Sequence, residues 1–159
     1  MINNIDCSKL AAMKTFNFSE VVKLLFKCDT KSARLKDIGE LRQDAELTDS
    51  SWDFSSSRET GVYALFLDGA LMKIGQAADK SSGVFHRMSQ YCRERDGKCK
   101  YINDNNKDRI YVEYFNLELV EQCWAAEKLL QGIAFFMGEK CHGKKKNDIK
   151  QVNNNDKIL

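Results

Sequence analysis

The segment Gly61-Val62-Tyr63-Ala64-Leu65-Phe66-Leu67-Asp68-Gly69-Ala70-Leu71-Met72-Lys73-Ile74-Gly75 reads as two strands around a tight turn. β-Branched and aromatic residues fill 61–67, Asp68-Gly69 is a hairpin signal, and 70–75 is the return strand. Two registers are open. A two-residue Asp68-Gly69 loop pairs Leu67 with Ala70 and puts Tyr63 and Lys73 on opposite sides. A three-residue loop with Gly69 left-handed pairs Phe66 with Ala70 and sets Tyr63 directly across from Lys73, on one face.

Downstream of the hairpin, Ser81 or Ser82 can cap a helix running to about Arg95, and Lys98 to Asp108 is a polar loop. Arg109 to Phe115, with Ile110, Val112 and Tyr114 alternating, is a third strand. Glu118 to Met137 forms the longest helix, stopped by Gly138. Upstream, Asn17-Phe18-Ser19-Glu20 offers an N-cap with a glutamate three residues on, leading into Val21, Val22, Leu24, Leu25 and Phe26. Lys31 to Leu47, with Leu35, Ile38 and Leu41 three apart, predicts a second amphipathic helix. A polar connector spans Thr48 to Thr60. The expected fold is α+β: a small antiparallel or mixed three-stranded sheet flanked by helices. Residues 1–59 form a helical extension and linker, 60–140 the main domain, and 141–159 a basic, Asn-rich tail.

A chain of 159 residues suits one domain with an extension. Its hydrophobic content of 43% excludes wholesale disorder, and the absence of Pro excludes polyproline and collagen-like roles. No run of 18 apolar residues occurs, and the N-terminus lacks a basic region followed by an apolar one. The six cysteines form no CxxC pair, so reduced thiols in a cytoplasmic protein without membrane partners are expected. The net charge of +2 hides a pattern. Residues 73–100 hold seven Lys or Arg against three acids, residues 101–139 three against seven, and residues 140–159 six against two. Two basic blocks of +4 thus flank an acidic one of −4, and basic segments suit phosphate contacts.

Glu127 is the most informative residue. In helical projection it lies beside Val120, Cys123, Trp124, Leu130, Gln131 and Ala134, whereas Glu118 and Glu121 fall on the other side. A carboxylate on an apolar stripe is costly unless paired or bound to a metal. A structural salt bridge is the plain alternative. Arg87 and Tyr91 lie one turn apart on the helix after the hairpin and share a face, an arrangement also common in surface packing.

Gly61-Val62-Tyr63, then Lys73-Ile74-Gly75, then Arg87 and Glu127 on successive helices together resemble the GIY-YIG nuclease superfamily. The similarity covers roughly residues 60–140, including the order hairpin, helix, strand, helix. The family's second tripeptide usually begins with Tyr, where this chain has Lys73. Lys at that position, with Tyr91 one turn after the arginine, resembles a subgroup of restriction endonucleases.

The resemblance implies a divalent-metal-dependent DNA endonuclease acting on double-stranded DNA, with catalytic Tyr63, Lys73, Arg87, Tyr91 and Glu127. Glu127 would hold Mg²⁺ or Mn²⁺, Tyr63 would take or relay the proton of the attacking water, and Arg87 would bind the scissile phosphate. Arg93, Arg95, Lys98, Lys100, Lys144, Lys145 and Lys146 are candidate DNA contacts. A supporting C-terminal Asn, as the family tends to carry, could be Asn147 or one of Asn153 to Asn155. Cutting both strands of a symmetric site further implies a homodimer.

Two other readings compete. Cys92, Cys99, Cys141 and His142 could supply a structural zinc set in a non-catalytic DNA-binding module, although their spacing is not that of a recognised finger. The chain could also be an interaction domain that has lost its chemistry.

Overall fold

The computed structural model describes residues 7–39, 58–78, 83–93 and 102–140. Strands β1 (Lys31–Arg34), β2 (Gly61–Leu67), β3 (Ala70–Ala77) and β4 (Ile110–Asn116) form one sheet in the order β1-β4-β2-β3. The helices are α1 (Cys7–Ala12), α2 (Phe18–Phe26), α3 (Leu35–Gly39), α4 (Gly83–Arg93) and α5 (Val120–Phe136). A 3-10 turn at Lys107–Arg109 leads into β4. The α+β class stands, but the sheet has four strands rather than three, and every pairing is antiparallel. No helix among the described residues is long and apolar enough to cross a membrane.

The additional strand corrects the expectation of a helix from Lys31 to Leu47. Lys31-Ser32-Ala33-Arg34 pairs with the outer side of β4, Lys31 opposite Tyr114 and Arg34 opposite Tyr111. The helix begins only at Leu35, and Arg34 is tied into its first turn by bonds of 3.0 and 3.2 Å to the Asp37 carboxylate. Strand preferences span about 1 kcal/mol, whereas fully burying a Leu or Ile contributes about 1.5–3 kcal/mol. Leu35 and Ile38 are both fully buried, so packing outweighs the weak preference of the four residues before them. Leu41 lies outside the described residues.

Two helices cover each face of the sheet. On one face Tyr63, Leu65, Val112 and Tyr114 pack against Leu35 and Ile38 of α3 and Val84, Phe85, Met88 and Tyr91 of α4. On the other, Val62, Ala64, Ile74 and Phe115 meet Phe18, Val21, Val22 and Leu25 of α2 and Cys123, Ala126, Leu130 and Ala134 of α5. The Phe18 and Phe26 rings lie 6.1 and 5.0 Å from that of Phe115. Residues 18–39 therefore share the sheet and both cores with residues 61–136.

Helix ends follow the sequence signals. Asn17 caps α2, its side-chain oxygen accepting from the Glu20 amide at 3.1 Å. Gly138, at φ +86, closes α5, with the Gly138 and Glu139 amides bonded back to Phe135 and Ala134. One expectation for α5 fails: Trp124, placed on the buried stripe by projection, is 56% exposed, as are Phe135 and Phe136 to a greater extent. Cys123, Leu130 and Ala134 do form the buried line, and half-buried Glu127 sits at its margin.

Glu113 of β4 shares the face of Phe115, half-buried, and burial pushes its carboxyl up. A folded-state value above the unfolded one makes its contribution to stability fully present in acid and lost as pH rises through the folded value. Glu113→Gln is expected to raise the unfolding temperature at pH 7. That gain should vanish below the ordinary carboxylate range of about 4.3. Thermal unfolding at pH 3.5 and pH 7 measures the difference.

Candidate active site

The hairpin adopts neither of the two simple registers. Asp68 (φ 50) and Gly69 (φ 83) make a two-residue turn with both φ values positive, as a type I′ turn requires, and Leu67 pairs with Ala70. Phe66 then pairs with Leu71, but Leu65 pairs with Lys73, so Met72 is an extra residue in β3. This bulge reverses the parity of the strand beyond it. Lys73 returns to the face of Leu65 and Tyr63, yet its partner is Leu65, and Tyr63 stands opposite Gly75. The direct Tyr63–Lys73 pairing is thus corrected to a diagonal one on a shared face.

Gly75 is required by close approach. A Cβ there would lie 2.5 Å from Tyr63 Oη and 2.6 Å from Cζ, so the ring rests on the bare backbone of β3. The hydroxyl of Tyr63 meets that of Tyr91 at 2.5 Å, with the rings edge-on at 6.0 Å. Both residues are buried, Tyr63 at 2% and Tyr91 at 4% exposure. Burial is the chief cause holding the Tyr63 hydroxyl well above its ordinary value. Tyr91 and Glu127 push it the same way, and Arg87 opposes them.

Tyr91 reaches Tyr63 because α4 packs on that face. Arg87, one turn earlier and half-buried, donates from Nη1 to Gln90 Oε1 at 3.2 Å, and Gln90 Nε2 contacts His86 Nε2 at 2.9 Å. The Lys73 ammonium lies 5.4 Å from the centre of the Tyr91 ring. From the opposite layer, Glu127 Oε1 accepts from Gln131 Nε2 at 3.1 Å, and the same nitrogen donates to the Ile74 carbonyl of β3 at 2.9 Å. Among the described residues, Lys73, Arg87 and Glu127 form no salt bridge with one another or with any other group. Charges held half-buried without ion pairing cost stability, and such groups concentrate at functional sites.

Tyr63, Tyr91 and Lys73 meet directly, and the charges of Arg87 and Glu127 bear on the same Tyr63 hydroxyl. The salt bridge offered as the plain explanation of Glu127 is absent among the described residues, and a neutral amide stands in its place. A single carboxylate with one oxygen held by a neutral donor suits Mg²⁺, which takes one or two protein carboxylates and fills its remaining positions with water and phosphate.

Sequence reasoning missed the part played by Gln131 and the Gln90–His86 pair. Their only signal was i, i+4 or i, i+3 spacing from Glu127 and Arg87. Arg93 ends α4. Arg95, Lys98, Lys100, Lys144, Lys145, Lys146, Asn147 and Asn153 to Asn155 lie outside the described residues, as do Cys99, Cys141 and His142. Cys92 is described, and its thiol donates to the Leu35 carbonyl at 3.2 Å. Among the described residues, no three His, Cys, Asp or Glu side chains come together as a metal cluster. Comparison with known protein families, with curated proteins and with solved structures finds no match to this chain.

Two stability outcomes follow from this packing. Removing either hydroxyl of the tyrosine pair orphans the other in the core, at about 1–3 kcal/mol. Tyr63→Phe and Tyr91→Phe are each expected to destabilise by that order, and the double variant by less than their sum, in urea unfolding. Gly75→Ala should cost about 1–3 kcal/mol through overpacking against the Tyr63 ring. In that background the further change Tyr63→Phe should cost less than it does in wild type.

Proposed function

We propose that this chain is a divalent-metal-dependent DNA endonuclease of GIY-YIG type, hydrolysing phosphodiester bonds in double-stranded DNA as a restriction-type enzyme. The observation that carries the reading is the buried Tyr63–Tyr91 hydroxyl pair with Lys73 at the Tyr91 ring, a pair on whose Tyr63 hydroxyl the charges of Arg87 and Glu127 both bear. Lys73 and Arg87 without carboxylate partners supply the cationic side of such a site. Glu127 supplies the acidic side.

Arg87, its guanidinium oriented by Gln90, binds the scissile phosphate through its planar fork. Lys73 adds a second positive charge where the phosphorane develops. Within the tyrosine pair either hydroxyl can donate to the other. A neutral hydroxyl takes a proton only as it gives up its own. The pair therefore relays the proton of the attacking water, one hydroxyl accepting it while the other releases its proton to a phosphate oxygen or to solvent, with the Lys73 ammonium near the Tyr91 ring. The resemblance gives this proton transfer to Tyr63, and the bond between the two hydroxyls joins Tyr91 to it. Glu127 holds Mg²⁺ or Mn²⁺, which when bound offsets charge on the phosphoryl and leaving 3′ oxygens. Arg93, Arg95, Lys98, Lys100 and Lys144 to Lys146 contact the backbone phosphates. A homodimer in the cytoplasm would bring two such sites to a symmetric sequence.

Incubating plasmid DNA with Mg²⁺ and sequencing the ends tests the reading. Wild type is expected to leave discrete ends. Glu127→Gln should abolish cleavage while retaining DNA binding, and Arg87→Ala should slow it by a factor on the order of 10²–10³. An active Glu127→Gln protein would remove the proposal. DNA binding without cleavage by wild type would instead establish the non-catalytic alternative.

A further inference from the structure

Gln131 occupies a place that packing alone does not call for. Its amide nitrogen has two hydrogens, and each has its own acceptor. One is the Ile74 carbonyl of β3 at 2.9 Å, and the other is Glu127 Oε1 at 3.1 Å. Ile74 is flanked by Lys73 and Gly75, the residues that face Tyr91 and carry the Tyr63 ring. One side chain thus fixes the Glu127 carboxylate relative to the strand that sets the rest of the site.

The chemistry of the donor matters as much as its position. Lys or Arg at 131 could make the same bonds, but would neutralise the carboxylate. An amide donates without adding charge, holds one oxygen, and leaves the other oxygen and the full negative charge for a cation. The i, i+4 spacing on α5 keeps the two side chains on one face, so the helix itself maintains this orientation.

The geometry points to Gln131 as a positioning residue that orients the Glu127 carboxylate for a divalent cation, an inference that rests on the metal-dependent reading above. Hydrogen-bonding partners of metal ligands typically change metal affinity by about 10–100-fold when removed. Gln131→Met keeps the length and helix preference of the side chain and loses both donors. Gln131→Lys keeps a donor for Ile74 and cancels the charge on Glu127.

The test is Mn²⁺ binding to the full chain, followed by the electron paramagnetic resonance signal of the free ion and accompanied by thermal unfolding. Wild type is expected to bind Mn²⁺ and Glu127→Gln to lose that binding. Gln131→Met should bind at least about 10-fold more weakly while remaining folded. Gln131→Lys should recover the unfolding temperature of wild type without recovering Mn²⁺ affinity. In cleavage assays Gln131→Met should need more Mg²⁺ for half-maximal rate yet approach the wild-type rate at saturating Mg²⁺.

Wild-type Mn²⁺ affinity in Gln131→Met would overturn the inference, as would recovery of both stability and affinity in Gln131→Lys, because the role would then be structural. If Gln131→Met fails to fold, Gln131→Leu, which also lacks a donor and adds no charge, takes its place against the same criterion. Equal binding by wild type and Glu127→Gln would overturn the metal-dependent reading itself, and this inference with it. The two failures are therefore distinguishable.

Discussion

The extra residue at Met72 determines which side chains of the hairpin can meet. Alternation along a strand is strict, so a two-residue turn alone would send Lys73 and Tyr63 to opposite faces. One unpaired residue reverses that parity, and Lys73 rejoins the face on which α4 packs. Met72 is itself buried on this face, so its contribution to the core stabilises the irregularity that places its neighbour. Bulges concentrate beside active sites for this reason: they re-aim a side chain without altering the rest of the ladder. The consequence extends to Gly75, which the same register sets under the Tyr63 ring.

From that point the site is organised by what its charges lack. Tyr63 and Tyr91 satisfy each other in the core, and nothing about their hydroxyls requires Lys73, Arg87 or Glu127 nearby. A sequence selected for stability alone would pair those charges or replace them with apolar groups, since an uncompensated half-buried charge is unfavourable. Neutral amides hold them instead: Gln90 at Arg87 and Gln131 at Glu127. Each amide restricts the side chain's rotamers and leaves its charge unspent. An anion and a cation arriving together would complete both sets, which is the demand that phosphodiester hydrolysis makes of a site.

Much of this was legible in the residues, and the exceptions have physical causes. The hairpin, the Asn17 cap, the Gly138 stop and the anomaly of Glu127 rest on local chemistry that neighbours in sequence suffice to define. β1 was not legible. Lys31-Ser32-Ala33-Arg34 has no alternating apolar pattern, and its strand exists because β4 offers an open side and Leu35 and Ile38 have a core to enter. The register of the hairpin was half legible. Both simple registers follow from the turn, whereas the bulge depends on Met72 entering the core on this face, a tertiary fact. Trp124 differs in the opposite sense: apolar character does not by itself imply burial, and Trp124 is 56% exposed on the outer side of α5.

The placement of the site at β3 draws these threads together. β3, like β1, is an outer strand of the sheet, and an outer strand carries backbone groups that the ladder does not satisfy. Natural proteins cover such edges with a helix or a loop. Here α5 covers it through a side chain, Gln131, which takes the Ile74 carbonyl. α4 lies against one face of the sheet and α5 against the other, so groups from both layers can converge only around an outer strand. Arg87 and Glu127, which both act on Tyr63, come from those opposite layers. A central strand would have kept them apart by the thickness of the sheet. The edge that most sheets must protect is, in this chain, a place where an arginine and a glutamate from opposite layers both bear on one tyrosine.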